Sequence, residues 1–164
     1  MRALLVFALL IAAGAAEARN VRETHFENPS QPSDRCFDRV YSRDHMRKHP
    51  QQTVTRLTVI LSETPGPRGG AVLDLFAELK NGMGGQSNFA KVICAPLGSV
   101  LDCTPADGSA GGVTVQAAKG GALLVSLKWQ GLIFDNPEGG MWVQGDAGDD
   151  RQFLVPNVAP EACY

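Results

Sequence analysis

The sequence lacks an excess of either charge and has few aromatic residues. Its 17 acidic and 15 basic residues give a formal net charge of −2, and only 7% of the chain is aromatic. A nucleic-acid-binding domain would normally be strongly basic, which argues against that class of protein. The hydrophobic content of 44% is too high for a disordered chain, and 18 glycines and 10 prolines indicate many turns between short elements.

The common enzyme motifs are also missing. Neither Ser87 nor Ser99 completes the G-x-S-x-G sequence of a nucleophile elbow. The glycines at 82–85 do not form a dinucleotide-binding pattern, and no G-x-x-x-x-G-K phosphate loop is present. These absences favour a protein that is not an enzyme, although a site assembled from scattered residues stays open.

No long hydrophobic run follows the first 18 residues. Those residues read as a secretory signal, with Arg2 at the start, an apolar stretch over 4–13 and a small-x-small cleavage site at Ala16-Glu17-Ala18. The alternative is a retained membrane anchor, but the apolar stretch is shorter than the roughly 20 residues that a spanning helix needs. We therefore expect a periplasmic or secreted protein with no membrane span after signal removal.

Four cysteines in an exported chain predict two disulfide bonds. Of three connectivities, we favour Cys94–Cys103, which closes a short loop, and Cys36–Cys163, which ties the start of the domain to its end. Loop entropy gives these bonds upper values of about 2.7 and about 4.9 kcal/mol. A metal site is the alternative, but the chain has no C-x-x-C pair.

The hydrophobic pattern predicts one helix followed by strands. Residues 19–32 read as an irregular arm, and 33–49 as a helix that Ser33 or Asp34 caps and Pro50 ends, with Ser42 as a point where it could break. Its apolar stripe is Cys36, Phe37, Val40 and Tyr41.

After Pro50 the apolar positions alternate, which is typical of strands. Segment 71–80 fits a strand or a helix, and we favour the strand. The other predicted strands are 53–61, 86–95, 99–104, 113–118, 122–129, 132–134, 141–144 and 152–155, with 119–121 as a hairpin turn. The predicted fold is a single mainly β domain over 33–164, an antiparallel β-barrel or β-sandwich of about 7–9 short strands with one N-terminal helix and two disulfides.

His45 and His49 are four residues apart, which places them on one face of a helix. Metal-binding helices use this spacing, but further ligands are needed, and His25 and Asp44 are poorly placed to provide them. A metal-binding protein or metal-dependent hydrolase centred on the two histidines, holding a divalent metal, is therefore the alternative hypothesis. Ordinary packing beside Tyr41 is the simpler interpretation.

Arg35, Arg39, Arg43 and Arg47 recur every four residues and would line one side of the predicted helix. Such a row could hold an acidic partner or a sugar acid, or it could be a solvated face with salt bridges. The leading hypothesis is an exported, non-catalytic binding or inhibitor-like module for a protein or cell-envelope ligand. Its predicted ligand-binding residues are Arg39, Tyr41, Arg43, His45 and His49.

Two further features carry weaker hypotheses. The loop 145–151 contains Asp146, Asp149 and Asp150 and could bind Ca²⁺, although a tight turn is the plainer alternative. Trp129 and Trp142 could stack on a sugar or seat a partner if exposed, and we expect at least one of them in the core.

Overall fold

The computed structural model describes residues 20–27, 36–80, 88–137, 139–146 and 148–163. The predicted leader and the predicted helix caps Ser33 and Asp34 lie outside these ranges. The described part is mainly β, as predicted. Its strands are β1 Cys36–Val40, β2 Val54–Leu61, β3 Ala71–Leu79, β4 Asn88–Leu97, β5 Val100–Pro105, β6 Val113–Ala117, β7 Leu123–Leu127, β8 Leu132–Phe134, β9 Met141–Val143 and β10 Gln152–Val155.

Eight of the strands form one antiparallel sheet that curls into a nearly closed barrel. The hydrogen-bonding order is β1-β2-β3-β4-β5-β6-β7-β10, so most neighbours in space are neighbours in sequence. The two end strands approach each other through one isolated antiparallel bridge, Phe37 to Asn157. The fold is therefore the barrel alternative, with β8 and β9 as a separate hairpin.

The core fills the barrel interior with alternate residues of each strand. The inward residues of β2, β5, β6 and β7 are buried and mainly aliphatic, while their sequence neighbours face outward. Segment 71–80, which the sequence left open between strand and helix, is strand β3. Leu73, Leu75 and Ala77 of β3 lie in the core, which confirms the period-2 interpretation.

Each end of the barrel is covered by a short element. A single π-helical turn, Arg22–Phe26, lies at the end that holds the β2–β3 and β6–β7 connections, and Val21 and Phe26 are fully buried there. Phe26 packs edge-on against Phe37 of β1, with ring centroids 5.1 Å apart. The segment 20–27 is thus part of the core, and the prediction of an irregular arm is wrong for these residues.

The hairpin β8–β9 lies at the opposite end of the barrel. It buries Leu132, Phe134 and Val143, and two backbone hydrogen bonds between Phe89 and Asp135 attach it to β4. The same end carries the connection from β1 to β2, which includes the helix α1, Arg43–Lys48.

The predicted helix over 33–49 is wrong in its first half. Cys36–Val40 is strand β1, paired in register with β2 from Cys36–Ile60 to Val40–Arg56, and only Arg43–Lys48 is helical. The apolar residues of this segment fit both periods, and pairing with β2 decides between them. The alternative of a break at Ser42 is close to what is found, because the Ser42 hydroxyl caps α1 by accepting a hydrogen bond from the His45 N–H.

Both disulfide bonds have the predicted connectivity. Cys94–Cys103 joins β4 and β5 inside the barrel, and Cys36–Cys163 joins β1 to the 3₁₀ turn Pro160–Cys163 on its outer side. Disulfides persist in oxidising surroundings, so they place the protein in an extracellular type of environment. Within the described ranges, no helix has the length and apolar character to cross a membrane.

We predict that the two disulfides differ in their rate of reduction. Both cysteines of the Cys94–Cys103 disulfide are fully buried, whereas Cys163 of the other disulfide is partly exposed. Under native conditions a mild reductant should open Cys36–Cys163 first, because thiol–disulfide exchange requires access to a sulfur atom. Alkylation at time points followed by peptide mass spectrometry measures the order. Equal rates, or earlier alkylation of Cys94, would contradict the barrel arrangement.

We also predict a loss of stability in mild acid that depends on His25. Burial lowers the pKa of His25 below 6.5, and the backbone carbonyls of Ala118 and Ala122 only partly oppose this. The neutral imidazole is favoured in the folded state, so stability is retained above pH 6.5 and falls as the pH drops below that value towards the folded-state pKa. Urea unfolding between pH 8 and pH 4.5 should show a shallower decline for His25→Gln than for the wild type. Parallel curves would refute the assignment.

Candidate functional site

The side chains of Tyr41, His45 and His49 form a continuous stack beside the barrel. Tyr41 follows β1 directly, and α1 then carries both histidines to the same side. The ring centroids of Tyr41 and His45 are 4.7 Å apart, and those of His45 and His49 are 4.3 Å apart with nearly parallel planes. The spacing of four residues therefore brings the histidines together as the sequence predicts.

Gln52 fixes the orientation of this stack. Its side chain is buried, its amide Nε2 donates to the carbonyl of Val54 at 2.7 Å, and its Oε1 lies 2.9 Å from Nε2 of His45. Because the amide oxygen is an acceptor, His45 donates from Nε2 in this arrangement. The His45 ring is thus held by the start of β2 rather than by α1 alone.

The buried carboxylate of Asp150 anchors the same region to the loop before β10. Its oxygens accept hydrogen bonds from the Thr53 N–H at 2.6 Å, the Val54 N–H at 3.1 Å and the Thr53 hydroxyl. These contacts join segments about 100 positions apart in sequence. They also occupy both oxygens of Asp150, which leaves this residue unsuited to the Ca²⁺ site that the sequence suggested for 145–151.

A cleft of about 220 Å³ lies between this stack and β10. We call it the Arg39 cleft; it is lined by Arg39, Tyr41, His45, His49, Gln52, Asp149, Gln152 and Leu154. Four of the five residues that the sequence predicts for ligand binding therefore share one concave site. The fifth, Arg43, lies outside it.

Arg39 is the cation of the cleft. Its guanidinium lies 5.3 Å from the centre of the Tyr41 ring, and its Nε is buried without a hydrogen-bond partner among the described residues. In the described part of the chain, no carboxylate forms an ion pair with it. The acid of the cleft, Asp149, lies nearest to His49, with 3.9 Å between Oδ2 and Nδ1. An unsatisfied guanidinium N–H in a concave site is a feature that an anionic group would complete.

Tyr41 contributes a neutral hydroxyl. Burial raises the pKa of Tyr41 to about 12, Arg39 acts against this rise and Asp150 adds to it. The phenol therefore stays protonated at any physiological pH and can donate a hydrogen bond. The cleft thus combines one cation and several neutral polar groups with a single acid.

A second, wider groove lies on the other side of α1. Its volume is about 700 Å³, and it is lined by Tyr41, Arg43, Asp44, Met46, Arg47, Pro50, Thr55 and Lys80. The predicted row of arginines along one helix is consequently wrong. Arg39 is on β1 and lies in the Arg39 cleft, Arg43 and Arg47 are on α1 and line this groove, and Arg35 lies outside the described residues.

The histidine pair does not gain further ligands in the structure. Across the described ranges, no group of three or more His, Cys, Asp or Glu side chains is arranged to hold a metal ion. The nearest carboxylate of His49 is Asp149, and His45 is bonded to Gln52. The metal hypothesis therefore stays a prediction from the sequence spacing, with no support from this geometry.

Four residues of the Arg39 cleft, Gln52, Asp149, Gln152 and Leu154, were not proposed as ligand-binding residues from the sequence. Gln52 had no signal beyond being a polar residue after Pro50, and Gln152 and Leu154 belong to a distant strand. Asp149 was considered only as a Ca²⁺ ligand or as part of a tight turn. Barrel closure brings β1 and β10 together, and this non-local step cannot be found from local spacing.

Both tryptophans are exposed, so the expectation that one lies in the core is wrong. Trp129 is 72% and Trp142 59% exposed. Trp142 lies opposite Ile133 on the outer face of the β8–β9 hairpin, because the alternate residues of the hairpin are those that face the core. Its indole N–H donates to the carbonyl of Gln130 at 2.9 Å.

Comparison of the chain with protein-family models, with curated proteins and with solved structures finds no match.

We predict that Asp150→Asn destabilises the protein by about 2–3 kcal/mol, because one charged acceptor holds three buried or partly buried donors. Chemical denaturation followed by tryptophan fluorescence measures the change. Asp146→Asn is the matched control, since Asp146 is exposed in the same loop, and it should change the free energy of unfolding by less than about 0.5 kcal/mol. Equal effects of the two substitutions would show that the Asp150 contacts do not stabilise this region.

Proposed function

We propose that the protein is an exported binding module that takes an anionic group of a protein or cell-envelope ligand in the Arg39 cleft, without catalysing a reaction on it. The observation that carries the proposal is the buried Nε of Arg39, which has no partner within the described part of the chain. A buried donor without an acceptor costs about 1–3 kcal/mol, and more when the group is charged. A ligand carboxylate removes that cost on binding.

The other groups of the cleft support binding of a single charged group with polar surroundings. Tyr41 and Gln152 offer neutral polar atoms, Gln52 holds His45 in place, and the stacked histidines form a wall. The described lining contains no serine, threonine or cysteine beside a histidine, so it offers no nucleophile activated by a base. The chemistry of the lining therefore favours recognition.

The charge of the cleft also limits the number of negative charges that the ligand can carry. Arg39 is balanced by only one acid, Asp149, which lies beside His49. A ligand with one carboxylate fits this balance better than a polyanion, because the described cleft has a single cation. Monocarboxylates such as the acidic side chain of a protein or a sugar acid are the expected class.

We predict that acetate and glucuronate bind at Arg39 and not at Arg43. Titration of the ¹⁵N-labelled, disulfide-bonded protein should shift the arginine Nε–H signal of Arg39 along a saturable curve. Arg39→Gln should abolish the saturable response, because the charged donor is removed from the cleft. Arg43→Gln is the matched control, since Arg43 is exposed and lies outside the cleft, and it should leave the response unchanged. Linear shifts of equal size at both arginines would disprove a specific site.

A further inference from the structure

The seam of the barrel is the line along which its end strands β1 and β10 approach each other. We propose that the open part of this seam is a docking edge for an extended segment of a partner protein. In that segment, an acidic residue is flanked by apolar residues. The proposal rests on the proposed function, because the acidic side chain enters the Arg39 cleft. It adds the class of ligand and the backbone contacts that hold it.

The hydrogen bonds that close the barrel between its end strands stop at Pro156. The Asp38 N–H donates to the Pro156 carbonyl at 3.0 Å, and the Val158 N–H donates to the Cys36 carbonyl at 3.2 Å. An antiparallel ladder would continue with a bond from residue 156 back to the carbonyl of Asp38. Proline has no N–H, so this bond cannot form and the ladder ends there.

Beyond this point the register would pair Val40 with Leu154, but the described residues form no such rung. Backbone groups of a strand point alternately to its two neighbours. Tyr41 bonds to Thr55 of β2, so Val40 faces the seam, as Cys36 and Asp38 do.

The same alternation applies on the other side of the seam. Arg151 accepts from Leu127 of β7, so residues 151, 153 and 155 face β7 and residues 152 and 154 face the seam. The seam therefore presents two strand edges, at Val40 and at Gln152 and Leu154, whose backbone groups point towards each other without a ladder between them.

The outer rim of the seam is apolar. Val40 is 64% exposed and Leu154 is 50% exposed, although both belong to strands. Exposed sheet edges are usually blunted by lysine, proline or an inward charge, because they pair readily with other chains. An edge with exposed valine and leucine side chains is instead suited to addition of a peptide strand.

The cleft behind the rim determines the chemistry of that strand. Side chains of an extended peptide alternate between its two faces, so one residue enters the Arg39 cleft while its two neighbours cover Val40 and Leu154. The entering residue should be acidic, because Arg39 has a buried donor with no partner in the described ranges. The flanking residues should be apolar, because they lie over an apolar rim. The sequence class is therefore apolar–acidic–apolar.

Tyr41 packs against the edge of the core, and its ring centroid lies 6.4 Å from that of the buried Phe153 across the seam. This contact holds the two strands together below the rim. The partner segment therefore lies in the open part of the seam, between the backbone edges at Val40 and at Gln152 and Leu154, with this ring contact on its inner side.

The test uses a capped pentapeptide, Thr-Val-Glu-Val-Thr, titrated into the ¹⁵N-labelled, disulfide-bonded protein. We expect saturable shifts of the Val40 and Leu154 amides and of the Arg39 Nε–H. Replacing the peptide glutamate by glutamine should weaken binding on the order of tenfold, because a charge-assisted bond is lost. Methylation of the backbone nitrogens of the two valines should weaken binding further, because it removes main-chain donors.

Leu154→Lys should abolish peptide binding, since lysine blocks a strand edge. The matched control is Ile93→Lys, because Ile93 is 43% exposed on the outer face of β4, away from the seam; this variant should bind as the wild type does. Equal binding of the glutamate and glutamine peptides, unchanged binding by Leu154→Lys, or shifts confined to the wider groove on the other side of α1 or to Trp142 would overturn the docking edge. Concentration-dependent shifts of Val40 and Leu154 without peptide would show that a second copy of this chain is the occupant, which also overturns it.

Acetate separates this inference from the proposed function. If acetate shifts Arg39 and the peptide does not bind at the seam, the docking edge is wrong and the anion site stands. If neither probe affects Arg39, both proposals fail.

Discussion

The arrangement of the molecule depends on how the first and last strands of the sheet meet. A curled antiparallel sheet has two edges, and here they are joined by two backbone hydrogen bonds around the Phe37–Asn157 bridge and by the Cys36–Cys163 disulfide. This junction encloses the core and places Tyr41 opposite Phe153. The junction is short, because the residue that should continue it on one side is Pro156, which has no N–H.

The candidate site follows from the incomplete closure. Where the ladder ends, the side chains of β1 and β10 no longer cover each other, and Arg39 lies in the resulting gap with a buried donor that no described residue satisfies. The outward-facing Arg56 is also partly buried, but it bonds to Asp38 and Glu78. Arg56 has acidic partners, whereas Arg39 has none among the described residues. This difference is the physical basis for assigning a role in recognition to Arg39.

The sequence predicts the features of the fold that are set by residues close together in the chain. Alternation of apolar residues located the strands after Pro50, including β3, and the two disulfides follow from compartment and loop closure. The segment Cys36–Val40 was misassigned because its apolar residues satisfy both helical and strand periods, and only pairing with β2 distinguishes them. Arg39, Tyr41, His45 and His49 do meet in one cleft, but Asp149 and Gln152 reach it through barrel closure, which no local spacing encodes.

The junction between the end strands also has a consequence for the order of events in biosynthesis. Cys36 and Cys163 are separated by 127 positions, and contacts of such long range form late because much of the chain must be ordered first. While synthesis proceeds, β1 and β2 exist before β10, and the growing sheet has an open end on its β1 side. During that interval the nascent chain is the species most exposed to intermolecular pairing, and rapid oxidation of the long-range disulfide would shorten it.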